Sequence, residues 1–267
     1  MTRLLPWIFC GALISGALTA SAMEAEMPSD APTGDAERTQ TFIGYACGAE
    51  TGELAYIEVH NMTWAGERLL EDRLSYLRPD GRKFAEKKVD YRGSSTAPEF
   101  ALVNSDSNHR ESLEHGGEVM TVRFQGPEDD AGDSAELPPS DPPMIADAGF
   151  DRFIVEQWEE LTSGRELVRP FLVPFRLDSL KMLIRRTTEP AAEPGIVAFE
   201  MVAKSRFLRL LAPTIRVFYA TDSRRLRRFE GISNLFADGG GKLNITIHFP
   251  PDPPEPPEAP PNICTGG

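Results

Sequence analysis

The sequence predicts an α+β fold that is mainly β: a single curved antiparallel sheet, half-barrel-like, with one covering helix. Three observations predict it. Roughly eleven or twelve short apolar or alternating stretches recur, with turn residues between them. One segment alone, 148–163, carries a helical apolar period over several turns. That helix stands between two runs of hairpins and not between each strand pair, as parallel βαβ units would require. Two smaller sheets divided at residues 125–143 are the alternative topology.

The chain opens with Met1-Thr2-Arg3, an apolar run from Leu4 to Thr19, and Ala20-Ser21-Ala22. A basic start, a short apolar core and a small-x-small end read as a secretory signal peptide, residues 1–22. The run is shorter than the roughly 20 residues that span a bilayer. Cys10 lies in mid-run behind Trp7-Ile8-Phe9, bulky residues that do not suit lipid attachment. The expected location is therefore outside the cytoplasm, with no transmembrane segment once the signal is cleaved. Residues 23–40 are acidic, rich in Ala, Pro and Ser, and nearly free of large apolar groups, so they are expected to be a disordered linker.

The β-rich domain is expected over 41–249. Strands at 41–49 and 53–62 flank Glu50-Thr51-Gly52. Strands at 68–77 and 83–92 flank Arg78-Pro79-Asp80-Gly81, where Pro presets φ and Gly accepts a positive φ. On the first of that pair Leu70, Leu74 and Tyr76 share a face with Asp72; on the second Ala85, Val89 and Tyr91 fall together. Weaker strands follow at 99–103, 109–115 and 118–124. Residues 125–143 hold six carboxylates, five prolines and no base, the composition of a solvated loop, without the fixed Asp spacing of a calcium loop.

In the helix, Phe150, Phe153, Ile154, Trp158 and Leu161 form one stripe, with Asp147 at the N-cap and Gly164 at the C-cap. Strands resume at 165–174, 176–187 and 196–203, where Leu180, Met182 and Ile184, then Val197, Phe199 and Met201, alternate inward. Phe207 to Leu211 reads as a short apolar turn stopped before Pro213. Strands at 214–220, 224–232 and 242–249 complete the set. The last alternates cleanly, with Leu243, Ile245, Ile247 and Phe249 on one face. Eight prolines fall in residues 250–261, so 250–267 is expected to be a disordered, extended tail.

Charge narrows the function. The chain carries a net −13; without residues 1–22 it loses one Arg and no acid, leaving 27 bases against 41 acids, or −14. Such a protein does not bind nucleic acid by neutralising phosphates. Beyond the signal only Cys47 and Cys264 remain; in an oxidising compartment they pair, or they stay as two thiols. Reaction signatures are absent: there is no G-x-S-x-G, H-E-x-x-H or C-x-x-C, and the Gly239–Lys242 run reads as a hairpin turn. His109, Glu111 and His115 share a strand face, but about 20 Å of extended strand separates the two imidazoles, too far for one zinc ion. Cys47 and His60 make the other nominal pair, of thiol and imidazole. No catalytic residue, metal or cofactor is assigned. Between Arg206 and Arg228 lie seven arginines and one acid, a segment suited to the acidic loop, an anionic head group or an acidic partner.

Residues 147–154 (DAGFDRFI), 171–177 (FLVPFRL) and 225–235 (RLRRFEGISNL) resemble a group of secreted bacterial proteins of uncharacterised function, over roughly residues 42–249. The order of elements is similar to the lipoprotein-carrier (LolA/LolB-like) half-barrels, in which a curved sheet and a helical lid enclose acyl chains. The resemblance implies a bacterial envelope setting, the Gram-negative periplasm, and transfers no binding or catalytic residue. The leading expectation is non-enzymatic binding of an apolar or lipid-like ligand in the concave face. Phe150, Phe153, Trp158, Phe171, Phe199 and Phe207 are the candidate lining. The alternative is an envelope interaction module with a filled core, meeting a protein partner through the Arg-rich segment or the Pro-rich tail.

Overall fold

The first and last strands of the domain pair with each other, and that pairing organises the molecule. In the computed structural model, residues 36–187, 193–210, 213–237 and 240–265 are described; the signal-peptide expectation and residues 23–35 lie outside them. The first half comprises β1 (Glu37–Gly48), β2 (Leu54–Ala65), β3 (Arg68–Leu77), β4 (Lys83–Asp90), β5 (Glu99–Asn104), β6 (Arg110–His115), β7 (Met120–Gln125) and β8 (Asp133–Leu137). Two short helices follow, α1 (Gly149–Glu156) and α2 (Trp158–Thr162). The second half comprises β9 (Leu167–Val173), β10 (Asp178–Arg186), β11 (Ile196–Ala203), β12 (Ile215–Ala220), β13 (Leu226–Phe236) and β14 (Lys242–His248).

Among the described residues these fourteen strands form one antiparallel sheet, β8-β7-β6-β5-β4-β3-β2-β1-β14-β13-β12-β11-β10-β9. Each half is a meander, and β1 joins them through Tyr45↔His248 to Gly48↔Ile245. The edges, β8 and β9, remain unpaired with each other, so the sheet curls without closing. One sheet, not two, is therefore present.

Hairpins form where the sequence supplies turn chemistry. Gly81 adopts φ +87° after Pro79-Asp80, its N–H donates to Arg78 O at 2.8 Å, and the Arg82 N–H donates to Asp80 Oδ1 at 2.9 Å. Gly52, at φ +65°, serves the β1–β2 turn in the same way. Alternation then decides the faces. On β4, Ala85, Lys87 and Val89 point inward and are buried while Glu86 and Lys88 are exposed.

The link between the two edges crosses the open side. Ile145 makes a short parallel bridge to Phe171, with Ile145 N–H to Pro170 O and Leu172 N–H to Ile145 O both at 2.9 Å. The helical stripe then packs onto the inner face of the second half, with Phe150, Phe153, Ile154, Trp158 and Leu161 against Met182, Ile184, Val197, Phe199, Met201, Val217 and Tyr219. Gly149 is needed at this crossing, because a Cβ there would sit 2.0 Å from the Thr96 carbonyl oxygen.

Four expectations change. The strand start moves from 41 to Glu37, so residues 37–40 are ordered by pairing with β2. The helix expected over 148–163 is two pieces broken at Gln157 (φ −98°, ψ 18°). Within the acidic loop, residues 133–137 form edge strand β8, where Ala135 and Leu137 are partly buried and the carboxylates face water; a charged edge also discourages pairing with another chain.

The tail is the largest change. Cys47 and Cys264 form a disulfide. The Tyr45 hydroxyl donates to the carbonyls of Pro254 and Glu258, each at 3.2 Å. Ala259 and Ile263 pack on Ile43, Tyr45 and Ile57, the outward-facing apolar residues of β1 and β2. Proline keeps this segment out of the sheet, as expected. One covalent link and an apolar outer patch nevertheless hold it to the domain.

Candidate functional site

Inside the curl the chain does not fill its own core. A cavity of about 520 Å³ opens between the inner face of β1–β4, the inner face of β12–β14, and α1. Its apolar walls include Phe42, Met62, Leu74, Phe150, Phe171, Val217, Ile247 and Phe249. The Phe42 and Phe249 rings stack at 4.8 Å.

The same cavity is lined by titratable groups that strand alternation turns inward. On β2, residues 56, 58, 60, 62 and 64 share the inner face. His60 Nδ1 lies 2.7 Å from Asp72 Oδ2 on β3, and its Nε2 lies 3.4 Å from Glu58 Oε2. Burial works against protonating this imidazole, but the two carboxylates outweigh it and push its pKa up to about 10. It is thus an imidazolium at neutral pH, held between Asp72 and Glu58. Asp72 is 2 % exposed, and its second oxygen, Oδ1, is buried without a hydrogen-bond partner.

A second pair closes the floor. Lys87 Nζ donates to Asp147 at 2.8 and 3.1 Å, and Asn234 Nδ2 donates to the same carboxylate at 2.5 Å. Burial tends to raise the Asp147 pKa, but Lys87 overrides it and the group titrates below its ordinary range; Lys87 is raised in turn. This pair replaces the expected cap. Asp147 sits at φ +46°, Ala148 occupies the N-cap, and no side chain caps α1. A cap contributes about 1 kcal/mol, whereas leaving a buried lysine without its counter-ion costs about 3–5 kcal/mol, so the carboxylate goes to Lys87. Asp151 accepts a hydrogen bond from Tyr219 Oη at 2.9 Å; burial, the largest influence, holds its pKa above the usual carboxylate range.

One end of the cavity is basic. Arg38, Arg152, Arg224 and Arg225 line it. The Arg38 and Arg152 guanidiniums lie 5.3 and 5.6 Å from the centroid of the same indole, that of Trp64.

Of the aromatic residues singled out from sequence, Phe150 and Phe171 line the cavity, their rings edge-to-face at 6.2 Å. Phe153, Trp158 and Phe199 lie in the packed core beside it, Trp158 5.6 Å from Phe199 and 6.0 Å from Tyr219. Phe207 is 71 % exposed on a surface turn. The titratable lining, Glu58, His60, Asp72, Lys87, Asp147 and Asp151, was not assigned from sequence. Its signal was present in the inward register of Asp72 between Leu70, Leu74 and Tyr76, and of Lys87 between Ala85 and Val89.

His109 is fully buried against Phe236 and Phe124, and its Nε2 is 3.8 Å from Glu111 Oε2. His115 lies at the far end of β6, beside Gly93. Among the described residues no group of three or more His, Cys, Asp or Glu is arranged to hold a metal ion. Cys47 is disulfide-bonded, which leaves no thiol for His60. Among the described residues the arginine segment makes no ion pair with the acidic loop: Arg216 pairs with Glu230, Arg224 with Glu159, and Arg228 with Glu193 and Glu230.

No family model matches the sequence, and no curated protein matches it. Among solved structures, a β-barrel-like protein of Domain of Unknown Function DUF1849 from Brucella abortus is similar, at 5 % identity and a TM-score of 0.46. The likeness covers 80 % of this chain and 98 % of that one. No residue is carried over from it. Among the described residues no helix is long and apolar enough to cross a membrane.

Proposed function

We propose that this protein binds an apolar or lipid-like molecule inside the half-barrel and performs no chemistry on it, in the bacterial periplasm that the leader sequence suggests. The observation that supports this reading is the cavity itself. Protein interiors pack to crystal-like density, and large voids are costly. An opening of about 520 Å³ falls within the usual range of small-molecule sites. Its walls are mostly aromatic and aliphatic, and a few convergent polar groups supply orientation.

Native mass spectrometry of protein purified from a bacterial periplasm, followed by solvent extraction, tests the proposal. A stoichiometric lipid-like adduct is expected. Val217, 2 % exposed on the cavity wall, supplies the matching variant: Val217→Trp fills the space and lowers retention. A clean apo mass, with no uptake on incubation with lipid vesicles, overturns the proposal.

A further inference from the structure

The cavity has two half-sites of opposite charge, side by side. Three groups make the first. Arg38 and Arg152 flank the Trp64 indole, and neither forms an ion pair among the described residues. The Trp64 Nε1–H is buried without an acceptor. All three are donors suited to an anion. The second half-site is made of acceptors. Asp72 and Glu58, 2 % and 8 % exposed, both lean on the one His60 imidazole, so two carboxyl groups share a single side-chain partner there. Asp72 Oδ1 is an orphaned acceptor, and a buried acceptor without a partner is costly to keep.

The two half-sites are neighbours on β2 and β3. Met62 stands opposite Asp72, and Trp64, two residues along β2 and past a register shift, stands opposite Leu69. Asp72 and Trp64 line the same cavity. Asp151 and Arg152, consecutive on α1, also line the cavity.

We infer that these half-sites together read a zwitterionic head group, with a primary ammonium against Asp72 and Glu58 and a phosphate or carboxylate against Arg38, Arg152 and the Trp64 N–H. The inference rests on the ligand-binding reading above and specifies its polar end. The apolar remainder of the ligand extends past Phe42 and Phe249 toward Phe150 and Phe171. A purely anionic amphiphile leaves the Asp72 acceptor unpaired, and a purely cationic one leaves the three donors unpaired. Each therefore forgoes charge-assisted hydrogen bonds that the zwitterion makes.

The test compares four probes on the full mature chain by native mass spectrometry and titration of tryptophan fluorescence. They are a short-chain phosphatidylethanolamine, a phosphatidylglycerol with the same acyl chains, the alkylamine of matching length, and glycerophosphoethanolamine without chains. Phosphatidylethanolamine is expected to bind about tenfold tighter than phosphatidylglycerol or the alkylamine, the loss of one charge-assisted hydrogen bond. Asp72→Asn, nearly isosteric, brings the ratio of phosphatidylethanolamine to phosphatidylglycerol close to one, and Glu58→Gln lowers it in the same direction. Arg38→Gln with Arg152→Gln lowers binding of both phospholipids.

Tight binding of glycerophosphoethanolamine alone supports the zwitterion site and assigns it to a free metabolite; weak binding assigns it to a lipid head group. Equal binding of the two phospholipids and the alkylamine overturns this inference while leaving lipid binding intact. Retention of none of the four overturns both. Near-ultraviolet circular dichroism establishes that each variant is folded, and Glu58→Gln alone carries the test if Asp72→Asn does not fold.

Discussion

Removing the Cys47–Cys264 bond is expected to cost as much stability as the largest single core truncations. The bond closes a segment of 217 residues. In the chain-entropy account, a crosslink stabilises by restricting the unfolded chain, and the benefit grows with the logarithm of the closed length. For this separation it comes to roughly 5 kcal/mol. In a domain of this size each kcal/mol moves the melting point by about 2–4 °C, so a fall of roughly 10–20 °C is expected. The perturbation is Cys47→Ala with Cys264→Ala, read by urea unfolding with and without reductant. The wild type should lose stability on reduction, and the variant should be indifferent to it. Packing is separable from crosslinking: a chain ending at residue 249 with Cys47→Ala also loses the contacts of Ala259 and Ile263 with Ile43, Tyr45 and Ile57, and should be less stable again. A loss below about 1 kcal/mol in the double cysteine variant would refute the reasoning, since a constraint over most of the chain cannot then be limiting the unfolded state.

Four further expectations follow from which side chains are buried and which are exposed. Because the His60 pKa rises from 6.5 to about 10 on folding, its stabilisation is complete below pH 6.5 and is lost as pH climbs through about 10; urea midpoints that stay flat or rise between pH 7 and 10 would count against the imidazolium. Lys87→Met strands Asp147 and should cost about 3–5 kcal/mol, with Asp147→Asn in the same chain recovering much of it; additive losses in the double variant would show that the two do not act as a pair. Gly149→Ala should displace α1, because its Cβ would meet the Thr96 carbonyl at 2.0 Å, and a melting point within 2 °C of wild type would deny that close approach. Phe207→Ser should change stability by less than about 0.5 kcal/mol, since the ring is 71 % exposed, and should leave lipid retention as it was.

The local order of this protein was legible in its sequence because it depends on local physics. Turn residues such as Pro79-Asp80-Gly81 and period-two alternation along 242–249 place hairpins without reference to distant chain. The Phe150–Leu161 stripe announces a helix that must cover an apolar surface. Meanders linked by short turns leave few topologies, and a curved antiparallel sheet under a helix is the simplest. Tertiary structure decided the rest, where the outcome depends on partners far away in sequence. Asp147 gives up a cap for Lys87, sixty residues earlier, because an unmatched buried charge costs more than a missing cap. The proline tail is held by a disulfide to a cysteine 217 residues away, which composition cannot report. The cavity arises the same way. Inward polar residues on β2, β3 and β4 look like exceptions one strand at a time. Only the curl of the sheet brings Glu58, His60 and Asp72 together, with Arg38 and Arg152 beside them, around a space that the side chains do not fill.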